Sequence, residues 1–155
     1  MKNEACSFQS TAAYSINFES ILVVEDNLND HLLLHYLLRQ HLQEVVPVGA
    51  TSAAQAMTYL NNCYAQQNPL PILILLDLYL PRRADGWKLL RQIRSNPIYR
   101  SIPIAIFSNS TDLNDAEQAY ARGAASYIKK PVSLEGWQNI LLGIPRLLKV
   151  GEAAI

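Results

Sequence analysis

Residues 72 to 77, ILILLD, run apolar without a polar break and stop at an acid. A strand wetted on one face alternates apolar and polar side chains. An unbroken branched-apolar run is instead buried on both faces, as in the middle of a parallel sheet covered by helices. Four further runs read as strands: SILVV ending at Glu25 and Asp26, EVVPVG closed by Gly49, SIPIAIFS, and the short ASYIKKP. Pro47 cannot donate to a strand ladder, which predicts an edge position for the second run.

Helical segments separate these strands. NLNDHLLLHYLLRQHL follows the first, with Asn27 as its predicted cap, and TSAAQAMTYLNNCYAQQ follows the second behind capping residues. A turn LPRRADG and a helix WKLLRQIRS follow the third, and DLNDAEQAYARG, ending at Gly123, follows the fourth. The last helix reads SLEGWQNILLGIPRLL, with Pro145 expected to end or bend it. Five strand–helix units predict an α/β fold, a doubly wound parallel sheet with helices on both faces and right-handed crossovers. Ligands of such sheets bind beyond the carboxyl ends of the strands.

The 155 residues carry thirteen basic and thirteen acidic side chains, with a pI near 6.8. That balance gives no bulk attraction to nucleic acid or an anionic membrane. Cys6 and Cys63 form no CxxC pair, and no apolar run is long enough to span a bilayer, so the expectation is a soluble, cytoplasmic protein with reduced thiols. Residues 1–19 read as a leader, 20–148 as one folded domain and 149–155 as a short tail.

Glu25, Asp26, Asp77, Ser108 and Lys130 each fall at or just after the carboxyl end of a predicted strand, so the topology can gather them. Asp77, at the end of the central run, is the leading candidate for a covalent phosphate acceptor. A carboxylate attacking an anionic phosphoryl group needs in-line alignment and neutralisation of the transferring oxygens, which Mg²⁺ and Lys130 would supply. Glu25, Asp26 and Asp77 form the hard-oxygen set such an ion prefers, with Asp26 the more direct ligand and Glu25 partly water-mediated. Adjacent acids also favour the start of a helix, and Lys129 competes with Lys130 for the inward position; Lys130 is preferred because it directly precedes Pro131. Ser108 could bond a phosphate oxygen, with Tyr127 following the motion, although each residue type also serves as a turn cap or core edge.

Together ILVVED, ILILLDLYLP with the nearby ADG, IAIFS and SYIKKP resemble the response-regulator receiver family of two-component signalling, over residues 20 to 148. The resemblance implies a five-stranded sheet of order 2-1-3-4-5 and a stand-alone receiver. It implies phosphorylation of Asp77 by a sensor histidine kinase, Mg²⁺ held by Glu25, Asp26, Asp77 and the backbone carbonyl of Tyr79, phosphate contacts from Ser108 and Lys130, a switch through Ser108 and Tyr127, and self-dephosphorylation. The acidic start and LP-rich loop also resemble regulators paired with bacterial phytochromes, which implies a phytochrome-type kinase as partner. Two features depart from the family pattern: one extra residue between Asp77 and Gly86, and Asn109 where a small apolar residue is usual.

Competing uses of the fold are a degenerate receiver that binds partners without phosphorylation and an Asp-nucleophile phosphatase. The phosphatase would need a second acid near Asp77 to protonate the leaving group, and Tyr79 stands two residues on. GxxxxGK[ST] and GxGxxG are both absent. His31 and His35, four apart, make a weak zinc pair and are expected on a surface or facing a partner. No basic recognition helix points to direct DNA binding. Leu34, Leu38, Trp137, Leu142, Ile144 and Leu148 exceed what one buried face needs, so either they cover the sheet or they support a homodimer.

Overall fold

The computed structural model describes residues 18–152, with side chains to residue 148; Cys6 and most of the leader lie outside that range. Five strands and five helices alternate as β1 Glu19–Val24, α1 Leu28–His41, β2 Val45–Ala50, α2 Ala53–Ala65, β3 Leu73–Asp77, α3 Arg83–Ser95, β4 Ile104–Ser108, α4 Leu113–Ala121, β5 Ser126–Lys129 and α5 Leu134–Glu152. The strands form one parallel sheet in the order β2-β1-β3-β4-β5. Every residue of β3 and β4 is buried, as their apolar runs require. Pro47 sits in β2, at the sheet's edge.

The two-residue period of the strands divides the core between the two faces of the sheet. Ile21, Val23, Leu73, Leu75, Ala105 and Phe107 pack with Leu34, Leu37 and Leu38 of α1 and with Trp137, Leu141 and Ile144 of α5. Leu22, Val24, Ile74, Leu76, Ile104 and Ile106 pack with Leu60 of α2, Leu89, Leu90 and Ile93 of α3 and Ala119 of α4. Burying each of the larger side chains contributes roughly 1.5–3 kcal/mol against chain entropy. The core therefore takes four of the six residues considered for a homodimer, Leu34, Leu38, Trp137 and Ile144. Leu148 packs partly against the same cluster, and only Leu142 is well exposed.

Several boundaries differ from the sequence reading, among them the end of β2, which runs one residue past Gly49 to Ala50. Helix α3 begins at Arg83, so ADG belongs to the helix and not to the preceding turn. Its start is held by Asp85, whose carboxylate accepts from the Arg82 backbone N–H and guanidinium. Gly86 lets the helix approach closely: a Cβ there would lie 1.9 Å from the Leu78 carbonyl oxygen. Helix α5 continues through Pro145, which is exposed, while Leu141 and Ile144 anchor the opposite face in the core. The regular structure also extends past both ends of the 20–148 span. Gly123, at φ +95°, ends α4 in a conformation that a side chain would strain.

Candidate active site

The ends of β1, β3 and β5 bring Glu25, Asp77 and Lys130 together beyond the carboxyl edge of the sheet. All three are buried. The Lys130 ammonium donates to Glu25 Oε2 at 2.7 Å, to Asp30 Oδ2 at 2.8 Å and to Asp77 Oδ2 at 3.3 Å. Lys129 is exposed, so the inward lysine is the one before Pro131. Glu25 Oε1 accepts the Asn27 N–H at 3.0 Å, and Asp77 Oδ1 accepts the Tyr79 N–H at 3.1 Å.

Burial pushes the Glu25 carboxyl up to about 7, with the nearby Asp77 charge adding to the rise and the Lys130 hydrogen bond only partly opposing it. For Lys130, burial opposes the charge. Hydrogen bonds to Asp30 and Glu25 and the charges of Asp77 and Glu25 outweigh it, holding the ammonium above the ordinary lysine range.

Carboxylate oxygens of Glu25, Asp26 and Asp77 lie within 4.8 Å of one another, and Asp26 is exposed. An all-oxygen set with one open, wet corner fits a hard divalent cation that keeps part of its water. An open cleft lined by Asp77, Tyr79, Asn109, Ser110, Thr111 and Asp112 gives access to the site. Ser108 is fully buried, and its hydroxyl accepts the Ser110 N–H at 3.0 Å, the turn-capping role. Its carbonyl accepts the Lys130 N–H at 2.9 Å, coupling the β4 end to the lysine. Tyr127 packs against the α2–α4 side of the core with its hydroxyl buried and, among the described residues, unpartnered.

The site holds one acid that the sequence did not single out. Asp30, in the first turn of α1, reads as an ordinary helix-start acid; its spacing four residues after Asp26 was the only available signal. The histidine pair also differs from expectation. His31 and His35 are half-buried and stacked, with ring centroids 4.5 Å apart, beside Gly49 of β2. His31 Nδ1 lies 3.2 Å from the Glu25 carbonyl, and His35 Nε2 is buried without a partner among the described residues.

The model of the response regulator receiver domain matches residues 21–141. The chain belongs to the response-regulator receiver family. Among curated relatives, this receiver is 34% identical over 116 residues to the probable methanogenesis regulatory protein FilR2 of Methanothrix harundinacea, covering 74% of each chain. It is 30% identical over 125 residues to the response regulator Rcp1 of Synechocystis, covering 80% of this chain and 84% of that one. Among solved structures, the phosphorylated cyanobacterial phytochrome response regulator RcpA superposes with a TM-score of 0.73 at 32% identity, covering 84% of this chain and 93% of that one. The Mn²⁺-bound form of Rcp1 gives a TM-score of 0.71 at 29% identity, covering 81% and 91%.

The receiver is thus closely related to phytochrome-associated regulators. Its acidic cluster with Lys130 is of the kind that phosphoaccepting response regulators carry, suited to metal-assisted phosphotransfer and not to turnover of a small substrate. Among the described residues no helix is long and apolar enough to cross a membrane.

Proposed function

We propose that Asp77 accepts a phosphoryl group from a sensor histidine kinase and that the modified site reshapes a protein-binding surface. The observation that carries this reading is the placement of Asp77, at the carboxyl end of a central, fully buried strand, within reach of both an inward lysine and two further acids. A carboxylate oxygen of Asp77 would form the new P–O bond as the P–N bond of phosphohistidine breaks and the imidazole leaves with its electron pair. Glu25, Asp26, Asp77 and the Tyr79 carbonyl would hold Mg²⁺, which when bound neutralises phosphoryl oxygens.

Lys130 would contact one phosphoryl oxygen and Ser108 another, the serine giving up its role at the Ser110 N–H. Tyr127 follows that displacement, because no bond from the described residues holds its hydroxyl in place. Likeness to RcpA and Rcp1 supports a phytochrome-type kinase as the phosphodonor. Association between two copies would use side chains left outside the core, such as Leu142 of α5 or Leu28, Leu32 and Tyr36 along α1.

The test is phosphotransfer profiling with candidate kinases and a small phosphodonor in Mg²⁺, with sedimentation on the same samples. Wild type labels and Asp77→Ala does not. A well-folded wild type that never labels would instead make this a receiver that binds partners without phosphorylation.

A further inference from the structure

The Lys130 ammonium has three N–H donors, and all three are committed to carboxylates. The two short contacts, 2.7 Å and 2.8 Å, go to Glu25 and Asp30; the contact to Asp77 is the longest at 3.3 Å. Glu25 has two prospective partners. Its Oε1 is taken by the Asn27 N–H, so a cation held by Glu25, Asp26 and Asp77 draws on the carboxylate that Lys130 now holds through Oε2. Asp30 stands outside that three-acid group. Its backbone is pinned in the first turn of α1, where the Asp30 N–H donates to Asn27 Oδ1 at 3.1 Å. Its side chain is 27% exposed against 4% for Lys130, so it meets the ammonium from the solvent side.

We infer that Asp30 is a positioning residue for phosphoryl transfer: it anchors the Lys130 ammonium beside Asp77 while Glu25 turns to the cation. The N–H released by Glu25 is then the one free for a phosphoryl oxygen, and the bond to Asp30 fixes where it points. Without that anchor the ammonium sits at the end of a flexible four-carbon stem. It would either stay on Glu25, against the cation, or lose its fixed orientation. This inference rests on Asp77 being the phosphoacceptor and Lys130 its phosphoryl contact.

Two simpler roles for Asp30 have to be separated from this one. An acid in a first helical turn favours the helix dipole, and any acid near a cation site raises cation affinity. Neither effect runs through Lys130. The experiment is a double-mutant cycle on the rate of labelling by acetyl phosphate at saturating Mg²⁺, using Asp30→Asn, Lys130→Met and the pair, with Asp30→Glu as the conservative rescue.

Asp30→Asn should slow labelling on the order of tenfold, Asp30→Glu should recover most of that loss, and Asp30→Asn should change nothing further in the Lys130→Met background. As a readout independent of turnover, a slowly exchanging ¹⁵N–¹H signal of the Lys130 ammonium in Mg²⁺ should be present in wild type and lost in Asp30→Asn. Wild-type labelling rates in Asp30→Asn, the same slowing with and without Lys130, or an unchanged ammonium signal would each overturn the proposal. Absence of label on folded wild type, or label that survives Asp77→Ala, would overturn the phosphoacceptor reading itself and this inference with it.

Discussion

Cation binding to this receiver should depend on pH through Glu25. The carboxyl is raised to about 7 from an ordinary 4.5 because it is buried at the floor of the cluster. A protonated Glu25 offers no charge to a divalent ion, so proton and cation compete. With a folded-state value near 7, the competition weakens apparent affinity about elevenfold at pH 6 and about 1.1-fold at pH 8, a net change of roughly tenfold.

The same shift has a signature in the cation-free protein. The native state binds a proton that the unfolded chain has released between about pH 4.5 and 7, so this contribution to stability is present at the acid side of that window and fades as pH rises through 7. Between pH 6 and pH 8 the loss is ~1.3 kcal/mol. Calorimetric titration with Mg²⁺ or Mn²⁺ at pH 6, 7 and 8 reads the first effect, and urea unfolding in chelator reads the second. Glu25→Gln should flatten both. Affinity that is level from pH 6 to 8 in wild type, or a tenfold change that persists in Glu25→Gln, would refute the reasoning.

Three further outcomes follow from packing. Gly86→Ala places a methyl against the Leu78 backbone next to Asp77 and should cost about 1–3 kcal/mol in urea unfolding, with reduced labelling of Asp77. Arg83, itself about a third exposed, pairs with the fully buried Asp115, whose second carboxylate oxygen has no partner among the described residues; Arg83→Ala should therefore cost about 1–3 kcal/mol, and the pair Arg83→Met with Asp115→Leu should recover most of it, both read by denaturant melts. Tyr127→Phe removes a hydroxyl that is buried without a bond to any described residue, so unfolding should show stability unchanged or higher by about 1 kcal/mol, and a loss of more than that would mean the hydroxyl has a partner.

Much of this molecule was legible because its signals are local. The apolar run into Asp77 announces a central strand by composition alone, Asn27 caps α1 through its own side chain, and Pro47 marks the edge strand because it lacks a donor. Where the answer depended on contacts that a run's own composition does not show, the local signal misled. Arg82 to Gly86 has the residues of a turn, but the Asp85 ion pair and the close approach of Gly86 to Leu78 start the helix there. Pro145 reads as a stop or a bend, and the helix continues through it because its other face is held by core contacts. Lys129 and Lys130 are separated only by which one β5 turns inward. Asp30 carries only the local mark of a helix-start acid, since its role depends on a lysine 100 positions away.

The border of the sheet bears on how this protein behaves at high concentration. Pro47 interrupts the row of backbone donors along β2, and the opposite edge, β5, is only four residues long from Ser126 to Lys129. An added strand would find a broken template on one side and a short one on the other. Growth by edge-to-edge pairing, the route to fibrils, is therefore blunted at both ends of the described sheet.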